Sequence, residues 1–229
     1  MSGRTITLDG LSLKLEDIVR VARHGDAVRL GEDAVRAVGR AAALVERWAE
    51  SDRVIYGITT GFGDLASVRI SREDRAALQE NLLRSHACGV GEPYPVDVTR
   101  AIMLLRINTL SRGHSGISLR TLSGLVGLLN AGIHPLIPCQ GSVGASGNLC
   151  PLSHLALGLM GEGMAEVPLR CIRGFSCWTR LSAGCRPRPC PLLWSVSGTG
   201  LVAATSRLSC WSGTAHRFAF WRHPLCQPR

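Results

Sequence analysis

Apolar positions recur every three or four residues through most of the first 165 positions, which is the period of an amphipathic α-helix. The clearest case is 33–49, where arginines at 36, 40 and 47 occupy the other faces. Further helices are predicted at 95–111 and at 118–129. The apolar stripe of 33–49 consists of Val35, Val38, Ala42, Val45 and Trp48, and that of 118–129 of Leu119, Leu122, Leu125 and Leu129. The pattern predicts a mainly α protein, built as a helical bundle.

Turn and capping residues refine this picture at three places. Residues 5–13 alternate weakly around Asp9-Gly10, a pair typical of tight turns, so we expect a short β-hairpin at the start. Ser71 followed by Asp74 resembles a capping box and predicts a helix from there to about residue 85. Pro151 suits the first turn of a helix, which 152–160 can continue.

The strongest chemical signal is the glycine-rich segment 141–151, in which Ala145, Ser146 and Gly147 stand in tandem. With no Cβ at Gly147 and only a methyl at Ala145, the Gly147 nitrogen can approach the Ala145 carbonyl. Cyclisation and loss of water from Ser146 would leave an exocyclic methylidene, an electrophile that no side chain provides. The N-terminus of the following helix would favour negative charge on such a ring. The three residues alone would equally suit a flexible turn.

Two other blocks accompany this segment. One is the glycine-rich stretch 56–63, Tyr-Gly-Ile-Thr-Thr-Gly-Phe-Gly, and the other is 81–91, which contains Ser85-His86. Together with 141–157, these blocks closely resemble the signatures of the aromatic amino acid ammonia-lyases. The Ser-His pair is typical of the histidine-type members, although some tyrosine aminomutases share it. The resemblance runs from about residue 4 to about residue 168.

The resemblance implies a truncated form of the fumarase/aspartase-like helical bundle, a small-molecule amino acid substrate, and a homotetramer with shared active sites. The implied reaction is elimination of ammonia from L-histidine to give urocanate. A tyrosine or phenylalanine ammonia-lyase, an aminomutase and an inactive truncated fragment are the alternatives.

The resemblance also assigns roles to residues. Ala145, Ser146 and Gly147 would form a 4-methylideneimidazol-5-one group, so neither an external cofactor nor a metal is expected. Asn148 stands where the family usually has aspartate. Because this replacement removes a charge and an acceptor beside the forming ring, we expect slower or incomplete ring formation.

Tyr56 would be the catalytic base, and His86 and Gly63 would bind substrate. A free phenol titrates near about 10, so a tyrosine base needs surroundings that favour the phenolate. Taken singly, Tyr56 is equally an ordinary half-buried ring. His86 either has a structural role, recognises an imidazole or orients a carboxylate.

Composition divides the chain in two. All seventeen acidic residues lie in 1–166 beside sixteen arginines and one lysine, so the formal charge of that part is zero. Residues 167–229 contain nine arginines and six of the nine cysteines, and they carry the whole net charge of +9. We therefore predict a lyase-like region at 1–168 and an atypical, frameshifted and disordered tail at 169–229. The alternative is a genuine basic tail that binds nucleic acid or a protein partner.

The remaining features exclude some classes of protein. The tail cysteines form no Cys-x-x-Cys pair, which argues against a zinc site. The start of the chain has no continuous apolar stretch of the kind found in signal peptides, and no run of about twenty apolar residues occurs. We expect a cytoplasmic protein with reduced thiols that binds neither a membrane nor nucleic acid.

Overall fold

A computed structural model describes residues 5–144 and 149–167, together with the backbone of 217–220. The mainly α fold class is confirmed in this part of the chain. The helices are α1 (Leu15–Val19), which continues into a π-helical turn (Arg20–His24), α2 (Glu32–Glu50), α3 (Asp74–His86), α4 (Val96–Leu110), α5 (Leu119–Ala131) and α6 (Leu149–Met160). The strands are β1 (Ile6–Leu8), β2 (Val28–Leu30), β3 (Val90–Pro93), β4 (His134–Pro135), β5 (Pro138–Gln140), β6 (Gly163–Glu166) and β7 (Arg217–Phe220).

Helix ends follow the local sequence signals. Ser71 Oγ accepts a hydrogen bond from the Asp74 amide at 3.2 Å and donates to the Asp74 carboxylate at 2.7 Å. Helix α3 begins at Asp74 with Glu73 as its capping residue, so the two residues pair without forming the full capping box. Ser118 Oγ caps α5 by accepting from the Thr121 amide. That helix ends at Gly132, whose φ of +73° suits glycine at the end of a helix.

The core lies where α4 and α5 pack together against the N-terminal strands and α6. Helix α4 buries one face at positions spaced by one, three and four residues, and α5 buries its leucine stripe. Among the most deeply buried side chains are Leu8, Val21, Val38, Met103, Leu104, Ile107, Leu122, Leu129 and Ile137.

The expected N-terminal hairpin is wrong. Strand β1 pairs in parallel with β2, with Ile6 opposite Val28. The Asp9 carboxylate instead accepts the amides of Leu11 and Ser12, and these bonds lower the pKa of Asp9 to about 2. The resulting turn directs the chain into α1, so the strand partner comes from beyond the helix.

The remaining strands form two small antiparallel sheets. Strand β3, which follows α3, pairs with β5, with Val90 opposite Gln140. Strand β6 lies between β4 and β7. Of residues 169–229 the structure describes only β7, so the domain boundary at residue 168 stays a prediction.

A buried arginine on α4 makes hydrogen bonds to three other parts of the fold. Arg100, on α4, is 8% exposed; its Nε donates to the Val21 carbonyl at 2.9 Å. One terminal nitrogen donates to the Leu129 carbonyl at 3.2 Å and lies 3.0 Å from His134 Nε2. Burial, and secondarily the Arg100 charge, lower the pKa of His134 to about 4. His134 is therefore neutral at pH 7, and its Nε2 accepts a hydrogen bond from the Arg100 guanidinium.

This arrangement predicts a pH-dependent stability. In the unfolded chain His134 titrates near its ordinary value of 6.5, whereas in the folded protein it titrates near about 4. The unfolded state therefore binds more protons between these values, and the free energy of unfolding falls as pH drops from 6.5 to 4, by up to about 3 kcal/mol. Urea denaturation across that window measures the slope.

A matched pair of variants isolates the His134 contribution. His134→Gln should flatten the slope between pH 6.5 and 4, while His114→Gln, at an exposed turn, should leave it as in the parent. Equal slopes in all three proteins would contradict the assignment.

Among the residues described, no helix is long and apolar enough to cross a membrane. Within the same residues, no group of three or more His, Cys, Asp or Glu side chains is arranged to hold a metal ion.

Candidate functional site

Tyr56 lies on an exposed loop between α2 and α3. Its side chain is 61% exposed, and its ring meets that of Phe62 edge to face, with centroids 5.7 Å apart. Gly57 has a φ of +72°, and a Cβ there would lie 3.1 Å from the Phe62 ring. The loop thus needs glycine at 57 so that Phe62 can support the tyrosine ring.

The loop is held from inside by two buried threonines. Thr59 Oγ1 donates to the Arg53 carbonyl at 2.7 Å and accepts the Ile55 amide at 2.8 Å. Thr60 Oγ1 accepts the Gly57 amide at 3.2 Å. These bonds satisfy the backbone on both sides of Tyr56, so an exposed side chain is presented on a fixed backbone.

Gly63 follows at the start of a short 3-10 turn, Gly63–Leu65. Its φ is +57°, it is exposed, and a Cβ there would meet nothing within 4 Å. Open space therefore lies beside the loop that presents Tyr56.

The loop is anchored at the N-terminal end of α3. The Ile70 amide donates to the Thr59 carbonyl at 2.9 Å. The guanidinium groups of Arg72 and Arg75 donate to the Glu50 and Ala49 carbonyls at the end of α2. Tyr56 therefore belongs to the side of the molecule where α3 begins.

Ser85 and His86 lie at the opposite end of α3. His86 Nδ1 lies 2.8 Å from the Leu82 carbonyl and 3.1 Å from Ser85 Oγ, which itself donates to Leu82 at 2.9 Å. Because a carbonyl only accepts, Nδ1 carries the proton in that contact. In the neutral ring Nε2 is then the acceptor.

The chain after His86 packs directly on α6. The Gly89 amide donates to His154 Nε2 at 3.1 Å. A Cβ at Gly89 would lie 2.9 Å from that nitrogen and 3.1 Å from Cys150 Sγ. A Cβ at Gly141 would lie 2.5 Å from the same sulfur. Two glycines thus allow β3, the end of β5 and α6 to converge.

A second contact joins α3 and α6 further along. Arg84 and Glu162 make a two-pronged ion pair, with Nε to Oε2 at 3.0 Å and a terminal nitrogen to Oε1 at 2.8 Å. The order of the two contacts shows that α6 runs back along α3. The beginning of α6 therefore lies at the end of α3 that carries His86.

Residues 145–148, and hence Ala145, Ser146, Gly147 and Asn148, lie outside the described residues. Their flanks are described. Gly144 has a φ of +72°, and a Cβ there would meet open space, while Val143 is 86% exposed. Helix α6 begins at Leu149, immediately after the segment. The predicted ring-forming residues are therefore bracketed by an open turn and a helix N-terminus.

The structure thus brings the flanks of the ring-forming segment into contact with the chain that follows Ser85-His86, whereas the Tyr56 loop is anchored at the other end of α3. The 13 residues of α3 separate the two ends by about 18 Å. For His154, the sequence pattern alone indicates helix packing and no other role. Its bond to Gly89 joins residues 65 positions apart, and the sole local signal was an imidazole on the predicted helix after Pro151.

A family model decides the broad assignment. The model described as aromatic amino acid lyase matches residues 13–185. The chain belongs to the aromatic amino acid lyase family. Histidine ammonia-lyase of Streptococcus pyogenes serotype M49 is 53% identical over 162 residues, which are 71% of this chain and 32% of that protein.

Solved structures agree with membership of the aromatic amino acid lyase family. The chain resembles histidine ammonia-lyase from Trypanosoma cruzi with a TM-score of 0.68 and 36% identity, over 75% of this chain and 34% of that one. It resembles tyrosine aminomutase from Streptomyces globisporus with a TM-score of 0.68 and 34% identity, over 75% of this chain and 33% of that one. The chain spans about a third of the length of these relatives.

Proposed function

We propose that this chain contributes to an ammonia-lyase that eliminates ammonia from L-histidine to give urocanate. Its membership of the aromatic amino acid lyase family supports this proposal, as does 53% identity to a histidine ammonia-lyase. The observation that carries the choice of substrate is His86, whose Nδ1 faces the Leu82 carbonyl and leaves Nε2 as an acceptor. Nε2 can accept an N–H of a substrate imidazole, whereas the phenyl ring of phenylalanine offers no donor. The choice over tyrosine is supported by the identity to a histidine ammonia-lyase.

The electrophile of the proposed reaction is the 4-methylideneimidazol-5-one of Ala145, Ser146 and Gly147. The described flanks fit it. Gly144 has a φ of +72°, which suits glycine, and α6 begins at Leu149, so a helix N-terminus follows the segment. When formed, the group supplies an electrophilic carbon that takes a bond from the substrate. The N-terminal end of α6, which carries the positive end of the helix dipole, would favour negative charge on such a group.

Tyr56 is proposed as the base that removes the β-proton, with Gly63 bordering the substrate. Its exposed phenol on a backbone fixed by Thr59 and Thr60 supports this role, since a base must reach into a cleft without moving its own loop. The Tyr56 loop packs at the start of α3, whereas the described flanks of the ring-forming segment contact the chain just after its end. On this basis we propose that Tyr56 of one copy meets the ring of another, in a homotetramer whose sites are shared.

Two inactive variants test the shared site. Tyr56→Phe keeps the ring and loses the base, and Ser146→Ala does the reverse, so each alone should retain about 1% of parental urocanate release or less. Co-expressed in equal amounts and purified together, they should recover roughly a quarter of the parental rate, because that fraction of randomly assembled sites combines both intact residues.

The controls for this mixing experiment are the two variants combined in a single chain and each variant co-expressed with itself. None of these should recover activity. A mixture that stays as inactive as its components would contradict the sharing of sites between copies.

Substrate choice is tested by incubating the purified chain separately with L-histidine, L-tyrosine and L-phenylalanine. Urocanate from histidine, with much slower release of the cinnamate-type products, is the expected result. The likeness to a tyrosine aminomutase supports a second candidate, which converts tyrosine to a β-amino acid. Chromatography of the tyrosine reaction distinguishes that product from an eliminated one, and a dominant β-amino acid would overturn the histidine assignment.

A further inference from the structure

The junction between α6 and the segment after α3 contains a hydrogen bond that helix packing does not require. Gly89 lies outside any helix, and its amide is the donor to His154 Nε2 at 3.1 Å. The bond connects a residue three positions after His86 with one eight positions after Ser146.

The geometry determines the state of the imidazole. Nε2 accepts a hydrogen bond from a backbone amide, so in the neutral His154 ring the proton is assigned to Nδ1. Burial lowers the pKa of His154, which favours this neutral form. A protonated ring would present N–H to N–H at 3.1 Å, and the contact would be lost.

The space around Gly89 is tightly packed. Gly89 is so close to α6 that a Cβ would lie 2.9 Å from Nε2, and Pro138 and Cys150 border the same space. A shift of α6 relative to the chain at Gly89 therefore has to break the bond or collide with neighbouring atoms. The Arg84–Glu162 pair lies just beyond the end of α6, and its Arg84 side chain is 40% exposed.

We propose that His154 is a positioning residue. By accepting a hydrogen bond from the Gly89 amide, it keeps the segment that carries Ser85 and His86 in a fixed position relative to α6, the helix that follows the ring-forming residues. This role rests on the proposed function of that site. His154 touches neither substrate nor ring, and it acts through the placement of His86.

The state of His154 is measured first, in the unmodified chain. Long-range ¹H–¹⁵N spectra should show His154 as the Nδ1–H tautomer, with an unprotonated Nε2 at pH 7. A proton on Nε2 would overturn the proposal without any variant having to fold.

Three variants then distinguish loss of the hydrogen-bond acceptor of His154 from loss of the shape of its ring. His154→Gln keeps an acceptor near the place of Nε2, His154→Phe keeps the ring without an acceptor, and His114→Phe is a control at an exposed turn. We expect hydrogen exchange at the Gly89 amide to accelerate about tenfold in His154→Phe and to stay within about threefold of the parent in His154→Gln. The ¹H–¹⁵N signals of the His86 imidazole should move in His154→Phe only.

Several results would overturn the proposal. One is equal Gly89 exchange in parent and His154→Phe; another is equal acceleration in the Gln and Phe variants, which would indicate packing alone. Unmoved His86 signals in His154→Phe would also contradict it. All readouts use the resting chain, so absence of urocanate release would count against the proposed function and leave this test readable.

Discussion

Replacing Ser146 with alanine is expected to abolish both the methylidene-imidazolone absorbance and urocanate release while leaving the fold intact. Without the hydroxyl there is no second dehydration, and alanine offers no route to the exocyclic methylidene. The residue lies in the sequence between Gly144 and Leu149, where α6 begins. Residual turnover should be about 1% of the parental rate or less, since the electrophile and its share of the barrier are removed together.

The matched control is Ser142→Ala, four residues earlier in the same glycine-rich segment. It should keep the ultraviolet difference spectrum of the ring. Circular dichroism and the urea midpoint of Ser146→Ala should match those of the parent. Retention of the ring absorbance in Ser146→Ala would contradict the assigned chemistry.

Replacing Arg100 with methionine is expected to lower the free energy of unfolding by about 3 kcal/mol, because two buried carbonyls lose charge-assisted hydrogen bonds. Those carbonyls belong to Val21, in the π-helical turn, and Leu129, near the end of α5. His134 would also lose its donor. Methionine keeps most of the apolar stem of arginine, so the loss reports the polar network rather than a cavity.

Arg106→Met on the same helix is the control for the Arg100 variant. It removes an arginine outside this network, and we expect a change within about 0.5 kcal/mol. Urea denaturation of the three proteins at pH 7 measures both effects. A loss in Arg100→Met no larger than in Arg106→Met would show that the network does not hold α4, α5 and β4 together.

Amphipathic helices were predictable because their signal is local. The stretch 33–49 coincides with α2 (Glu32–Glu50), and 118–129 with α5 (Leu119–Ala131). In each case the repeated apolar stripe is buried when the segment forms a helix with that face towards the core. A capping residue such as Ser118 marks where the helix begins.

The N-terminal strand shows where local reasoning fails. Asp9-Gly10 does form a turn, but which segment pairs with Ile6 depends on where α1 returns the chain. Strand pairing across a helix is a property of the packed core, and alternation around a turn cannot distinguish it from a hairpin.

The candidate site divides in the same way. Tyr56, Gly63 and Ser85-His86 stood out because short motifs carry their chemistry. The bond from Gly89 to His154 is a long-range contact. A periodic pattern does not show how two distant segments meet, so the sequence alone indicates only packing for His154.

The central claim is that the backbone at Ala145, Ser146 and Gly147 condenses with itself. Intact-mass spectrometry of the folded, purified chain tests this most directly, with Ser146→Ala as the reference. The account predicts a mass lower than that of the encoded sequence by two water molecules. A folded parent chain with the full encoded mass would contradict it.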